Sequence, residues 1–294
     1  MIKYSIRDLE KLTGIKAHTI RIWEKRYHLI EPARTQTNIR YYTDDNLKKL
    51  LNVSILNKYG LKISSIVAMD TESINQKLLD ISYKDSSYNH EVESLVLSMI
   101  EMDEVRFDKI LSSAIIKLGF EHTITDILSK FLEKIGVLWQ TGTITPAQEH
   151  FVSNLIRQKL IMAIDGQNPA TGEHTKVFML FLPEQEYHEL GLLFTHYLIK
   201  KAGHQVIYLG QNVPISDLSE IAGIRHFDYI FTSITCSMPN DTIQRLLTKM
   251  QELFSEKTIL LSGYLFQHTT PVLSKNMMLL KSPRDLENFL EKIN

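Results

Sequence analysis

Val177-Phe178-Met179-Leu180-Phe181-Leu182-Pro183-Glu184-Gln185-Glu186-Tyr187-His188-Glu189-Leu190-Gly191 is the stretch that decides the fold class. Its apolar run, 177–182, suits a strand of a parallel sheet, buried on both faces, and Pro183 closes it because proline cannot donate to a ladder. Leu192-Leu193-Phe194 to Ile199 then carry an apolar helical face. Strand, turn and helix put His188 at the carboxyl edge of an α/β sheet, where open sheets bind ligands. Glu186, two residues upstream, supplies the carboxylate that commonly orients a metal-ligating imidazole. A lone turn histidine is more often an ordinary surface residue, so the rest of the chain must weigh the two readings.

The same alternation continues to the end of the chain. Apolar segments at 175–182, 205–209, 228–234, 258–261 and 277–280 read as strands, with helices opening at His188, Ser216, Asn240 and Ser282-Pro283-Arg284-Asp285. That predicts a doubly wound, flavodoxin-like α/β domain over 174–294. Residues 88–168 read differently. Val92, Leu95, Val96 and Met99 mark one helix; Val105, Phe107, Ile110 and Leu111 a second; Ile124 to Ile135 a third; and Thr145-Pro146-Ala147-Gln148 opens a fourth. Four helices on short links predict a four-helix bundle. Polar stretches near 70–90 and 166–175 read as linkers, the first with a short helix around Leu78, Leu79 and Ile81.

The N-terminal residues form a third kind of segment. The chain of 294 residues has a net charge of only −1, yet residues 1–70 carry 13 Lys/Arg against 7 Asp/Glu, net +6, and the remainder is net −7. A basic head on an acidic body suggests a nucleic-acid-binding module. Ser5-Ile6-Arg7-Asp8 is a capping box opening a helix with Ile6, Leu9 and Leu12 on one face, and Gly14 stops it. The next helix turns Ile20 and Trp23 inward and His18, Thr19, Arg21, Lys25 and Arg26 outward. Pro32 to Tyr42 reads as a basic wing with Arg34, Asn38, Arg40 and Tyr41, and a helix with Leu47, Leu50, Leu51 and Ile55 follows, then a short one at 60–69. This all-α winged helix-turn-helix head over 1–72 makes those nine polar and aromatic residues the candidate DNA contacts, because no small core needs Arg21, Arg26, Arg34 and Arg40 together.

No apolar run approaches the roughly 18 residues of a membrane helix, and Met1-Ile2-Lys3-Tyr4-Ser5 is no signal peptide, so a cytoplasmic protein without a membrane partner is expected. Cys236 is the sole cysteine, so a disulfide framework is excluded and no thiolate metal site is expected.

Three groups of residues carry a resemblance. Arg21-x-Trp23-Glu24-Lys25-Arg26-Tyr27, then Pro32 and Arg34, then Arg40-Tyr41-Tyr42, resembles the winged helix-turn-helix of MerR-family transcription regulators, which implies a dimer on a palindromic double-stranded operator. Trp139 followed ten residues on by Glu149-His150 resembles the Trp…Glu-His signature of the helical cap in the cobalamin photoreceptor branch of that family. The likeness implies that Trp139, Glu149 and His150 lie over the corrinoid's upper face. Members of that branch have a histidine directly after the tryptophan, where this chain has Gln140, a poor cobalt ligand beside imidazole.

Glu186-x-His188-x-x-Gly191 is similar to the Asp-x-His-x-x-Gly motif of cobalamin-binding domains, with Glu for Asp. Ser233-Ile234-Thr235 stands where that family has Ser-x-Leu, Ser262-Gly263 where it has Gly-Gly, and Tyr208 to Pro214, with Gly210 and Val213, resembles its loop after the second strand. The resemblance implies His188 as the lower cobalt ligand, and the Ser233, Thr235, Ser262 and Gly263 elements as the slot for the nucleotide tail. A non-enzymatic, cobalamin-responsive regulator is therefore expected, a repressor in which adenosylcobalamin between cap and α/β domain controls a dimer or tetramer and its hold on the operator, with light as a candidate signal. A corrinoid methyl-transfer enzyme or carrier module, and a degenerate sensor without cobalamin, are the other readings left open.

Overall fold

Ser5 opens the first helix as its capping box requires: its hydroxyl accepts from the Asp8 N–H, and the Asp8 carboxylate accepts from the Ser5 N–H. The structure, a computed structural model, describes residues 4–35, 38–58, 60–70, 72–74, 77, 88–140, 144–168, 172, 174–236 and 238–294. They form two compact units, Met1–Leu155 and Ile156–Asn294.

In the first unit, α1 (Ile6–Thr13) ends at Gly14, whose φ of 71° is the left-handed conformation glycine adopts without strain. Helix α2 (Ala17–Tyr27) buries Ile20 and Trp23 and leaves His18, Arg21, Lys25 and Arg26 in solvent. Strands β1 (Ala33–Arg34) and β2 (Arg40–Tyr41) pair antiparallel as the wing. Helix α3 (Asp44–Lys58) locks onto α1 through the Ser54 hydroxyl, which donates to the Thr13 carbonyl at 2.7 Å, and Leu9, Ile20, Leu47, Leu50 and Leu51 fill the small core. Helix α4 (Ile63–Val67) is shorter than the 60–69 expected, and Leu78, Leu79 and Ile81 lie outside the described residues.

The bundle follows. Helix α5 (Asn89–Glu101) is buried along nearly its whole length because α3 covers one side of it while α6 (Glu104–Leu118) and the third helix cover others. That third helix is not regular. A turn at Phe120–His122 passes into π-helical Thr123–Leu128 and only then into α7 (Ser129–Gln140). The hydroxyls of Thr123, Thr125 and Ser129 each donate to the carbonyl four residues back, and such competing donors loosen the ladder. Phe107 and Phe131 meet edge to face at 5.8 Å inside the bundle, and α8 (Pro146–Asp165), which runs across the boundary between the two units, contributes Val152 to the first unit's buried residues.

The second unit is the expected α/β domain. Strands β3 (Val177–Pro183), β4 (Gln205–Val213), β5 (Tyr229–Ser233), β6 (Thr258–Ser262) and β7 (Met277–Leu279) are all parallel, in the spatial order β4-β3-β5-β6-β7. That is the flavodoxin-like order. Between them run α9 (Leu190–Lys201), α10 (Ile215–Ile224), α11 (Asn240–Leu253) and, last, α12 (Pro283–Ile293) with its own capping box from Ser282 and Asp285.

Two expectations are corrected here. Tyr208 to Val213 is no loop but the continuation of β4, whose pairing with β3 slips twice so that Phe181 faces Gly210 and Pro183 faces Val213. Gly210 at φ 78° and Asn212 at φ 56° absorb the slips. Helix α9 begins at Leu190 rather than His188, because the His188 N–H is held by the Glu186 side chain in a turn ahead of the helix. No described helix is long and apolar enough to cross a membrane.

Candidate functional site

Strand order reverses between β3 and β5, which opens a crevice at their carboxyl ends. The Glu186–His188 turn follows β3, and Thr235 and Cys236 follow β5 on the other lip. One carboxylate ties the two lips together. Glu186 is fully buried; its Oε1 accepts from the His188 N–H at 2.9 Å and lies 2.6 Å from His188 Nδ1, while Oε2 accepts from the N–H groups of Thr235 at 2.6 Å and Cys236 at 2.8 Å. Burial pushes the Glu186 carboxyl up, but the hydrogen bonds from the His188 ring, the Cys236 N–H, the His188 N–H and the Thr235 N–H outweigh it and hold the pKa at about 2. The group is therefore an anion at neutral pH. An ionised carboxylate only accepts, so Nδ1 carries the proton, and in the neutral ring the lone pair is on Nε2. From β4, Asn212 braces the same turn: its Oδ1 accepts from the Gln185 N–H at 2.9 Å and its N–H donates to the Glu186 carbonyl at 3.2 Å.

The other expected residues of this unit sit around that turn and at the neighbouring strand ends. Ser233 and Ser262 are register partners at the ends of β5 and β6, and the Ser262 hydroxyl donates to the Leu280 carbonyl at 3.1 Å. Thr235 is half-buried beside Glu186. Gly263 has φ 116°, and a Cβ there would fall 2.2 Å from the Ile234 carbonyl oxygen. The fold alone thus demands glycine at 263, which is a stronger reason than room for a planar tail. Gly191 is the opposite case: beyond its chain neighbours and its own helix backbone nothing lies within 4 Å of an added Cβ, so the space over the first turn of α9 is open. Gly210 and Val213 both lie in β4, where a Cβ on Gly210 would touch Glu189 and Tyr208 at ordinary contact distance. A half-exposed imidazole (59 % of the side chain), a buried anionic orienter and an open floor beside Gly191 fit a planar ring whose metal takes Nε2.

Two participants were missed by sequence reasoning. Cys236 Sγ lies 3.5 Å from His188 Nδ1 and 3.7 Å from Glu186 Oε1, and burial together with the Glu186 charge pushes its thiol up. Its position directly after Ser233-Ile234-Thr235 was the available signal. Glu189 accepts from the Tyr208 hydroxyl at 2.8 Å on one oxygen and pairs with Arg157 of α8 at 3.1 Å on the other. Tyr208 stacks on His196 at 5.0 Å; burial, then the Lys200 charge, holds the His196 pKa near 4, so that ring is neutral at neutral pH. Only the fold brings these four residues together, and no spacing announces them.

In the first unit, Trp139 ends α7 with 55 % of its surface exposed rather than in the core, an unusual setting for an indole. Glu149 and His150 stand in the first turn of α8, Oε2 to Nδ1 at 2.8 Å, and Ser153 donates to the other Glu149 oxygen. In the head, His18, Arg21, Lys25, Arg26, Arg34, Asn38 and Arg40 are exposed, and Thr19 and Tyr41 half-buried. Arg34 donates to the Asn38 side chain at 2.7 Å and to its carbonyl at 3.2 Å, which shapes the wing. Glu24 of α2 lies 3.8 Å from Arg40 and accepts from Tyr42 at 3.2 Å, so wing and recognition helix are coupled; burial and the Glu24 charge push Tyr42 up to about 12.

Residues 4–72 match the MerR HTH family regulatory protein, and residues 91–163 the B12 binding domain. Over 255 residues the chain is 27% identical to the HTH-type transcriptional repressor CarH of Myxococcus xanthus, covering 85% of this chain and 84% of that one. The likeness to that repressor thus runs through most of both chains. A second such repressor, CarA of the same organism, is 28% identical over 216 residues, 72% of this chain and 70% of that one. Among solved structures, the monomethylamine corrinoid protein of Methanosarcina barkeri superposes with a TM-score of 0.53 at 14% identity, over 74% of this chain and 99% of that one. That likeness is one of fold. The MerR-type head and the B12 binding domain thus occur together in one chain, in the order 4–72 then 91–163.

Proposed function

We propose that the chain is a cobalamin-responsive DNA-binding transcription regulator, a repressor and not an enzyme. The observation that carries the reading is the buried, ionised Glu186 holding His188 at the switch point of the sheet, in a chain that also has a MerR-type head. We divide the chain into a DNA-binding head over 1–72, a helical cap over 88–168 and a corrinoid-binding α/β domain over 174–294.

His18, Thr19, Arg21, Lys25, Arg26, Arg34, Asn38, Arg40 and Tyr41 contact a palindromic duplex, the arginines and lysine mainly through phosphate and the early α2 residues through base edges. In the α/β domain, His188 Nε2 is the lower cobalt ligand, Glu186 fixes its tautomer, and Gly191 leaves space for the ring. Ser233, Thr235, Ser262 and Gly263, with Gly210 and Val213 in β4, line the approach for the nucleotide tail. Trp139, Glu149 and His150 are the cap's contribution. When bound, the corrinoid supplies a cobalt centre with an exchangeable upper ligand, adenosyl in our reading, and thereby a signal to which oligomeric state and operator binding respond.

Mixing the purified chain with adenosylcobalamin will shift the corrinoid absorption to a base-off, histidine-ligated form, and His188→Ala will lose that form. The same spectrum in His188→Ala, or no shift with the wild-type chain, rejects the site.

A further inference from the structure

Three donors of different chemistry converge at the His188 turn. His188 Nδ1, Cys236 Sγ and Glu186 Oε1 all lie within 4.8 Å of one another. Donors about 2.0–2.3 Å from a tetrahedral ion stand roughly 3.5 Å apart. The Sγ–Nδ1 separation of 3.5 Å and the Sγ–Oε1 separation of 3.7 Å already have that spacing. The third edge, Nδ1 to Oε1, is a hydrogen bond of 2.6 Å and needs to widen by roughly 0.7 Å, a small rotation for a half-exposed ring. One thiol, one imidazole and one carboxylate are a donor set for zinc rather than for calcium or magnesium, which take oxygen throughout. The exposed side of the ring leaves water for the fourth position.

We propose that Glu186, His188 and Cys236 bind Zn²⁺ in the corrinoid-free chain, and that zinc and cobalt exclude one another at His188. The exclusion follows from the tautomer. Cobalt at Nε2 requires the proton on Nδ1, where it serves Glu186. Zinc takes the Nδ1 lone pair, so the ring proton moves to Nε2 and the position offered to cobalt is closed; the thiol proton is released to solvent. Oε2 keeps its bonds from the Thr235 and Cys236 N–H groups in both states, so the turn need not unfold to change partners. The zinc half of the proposal stands by itself, and the exclusion half rests on the cobalamin reading above.

The test uses the metal-free chain and free Co²⁺ as a spectroscopic substitute for Zn²⁺. Cys236 is the only cysteine, so a thiolate-to-cobalt charge-transfer band in the near ultraviolet can come from no other residue. We expect that band at one Co²⁺ per chain, its displacement by Zn²⁺, its absence in Cys236→Ser, and a Zn²⁺ affinity about tenfold or more weaker in Cys236→Ser and His188→Ala. No band in the wild-type chain, or an unchanged Zn²⁺ affinity in Cys236→Ser, overturns the site. Should Cys236→Ser fail to fold by circular dichroism, alkylation of wild-type Cys236 by iodoacetamide decides: protection by Zn²⁺ supports the site and equal labelling overturns it. One equivalent of Zn²⁺ is expected to suppress adenosylcobalamin uptake by the wild-type chain and not by Cys236→Ser; undiminished uptake by the zinc-loaded chain overturns the exclusion. A chain that binds zinc but never takes up corrinoid fails the cobalamin reading and leaves the zinc site standing.

Discussion

Glu186 concentrates the chemistry of the α/β domain in one side chain. It is buried, it is charged, and it receives three backbone N–H groups and faces a ring nitrogen. Its folded pKa of about 2 lies below the ordinary 4.5, so it contributes stability that is fully present above 4.5 and is lost as pH falls toward 2. Glu186→Gln should therefore lower unfolding stability at neutral pH by roughly 2 kcal/mol, since an amide cannot serve those donors equally, and the deficit should shrink below pH 4.5. Urea titrations of both chains across that range check it; a deficit of constant size down to pH 2.5 contradicts the linkage. Glu186-x-His188 was legible in the sequence because the two residues are near neighbours. The partnership with Thr235 and Cys236, 49 and 50 residues away, was not, since nothing local marks which backbone N–H groups will face a carboxylate.

Elements differ in what fixes their small residues and their charges. Gly263 turns the chain out of β6 across the backbone of Ile234, and Gly263→Ala should cost about 3 kcal/mol or more, or prevent folding, whether or not cobalamin is present. Gly191→Ala, with open space around its Cβ, should change stability by less than about 1 kcal/mol, yet it should weaken corrinoid uptake by filling the floor beside His188. Thermal unfolding and corrinoid titration of the pair separate a fold glycine from a ligand glycine. On the head, Arg21→Ala and Lys25→Ala should each reduce the slope of log K against log salt for duplex DNA by about 0.9, without loss of stability, because both side chains are exposed. Arg34→Ala differs in kind: Arg34 also holds the wing through Asn38, so it should disturb wing geometry as well as charge. A slope unchanged in Arg21→Ala and Lys25→Ala removes those two residues from the phosphate contacts. Sequence spacing located these helices well. The family resemblance placed a loop at Tyr208 to Pro214, where Gly210 and Asn212 instead absorb two slips within β4.

At the scale of the whole molecule, the head and the corrinoid-type modules are useful together only if ligand changes the hold on DNA. We expect adenosylcobalamin in the dark to move the chain to an earlier size-exclusion volume and to tighten duplex binding, and dark and illuminated samples run side by side show whether light reverses it. An elution volume and DNA affinity indifferent to adenosylcobalamin remove the regulatory coupling, even if His188 binds the corrinoid. The charge division, net +6 over the first 70 residues and net −7 beyond, already sets the head apart as the part drawn to polyanions, and it predicts that affinity falls steeply with salt.

The sequence by itself determined the order of the modules, the type of most elements, the outward face of α2, and the Glu186–His188 turn, because all of these depend on residues close in the chain. Tertiary structure alone decided that Gly263 answers to Ile234, that Glu189 is gripped by Arg157 and Tyr208, and that Cys236 joins His188 and Glu186. Apart from the grip of Arg157, which comes from α8, those pairings arise from which strand ends a parallel sheet sets side by side, and the crossovers that set them there bring together residues about 20 to 50 positions apart.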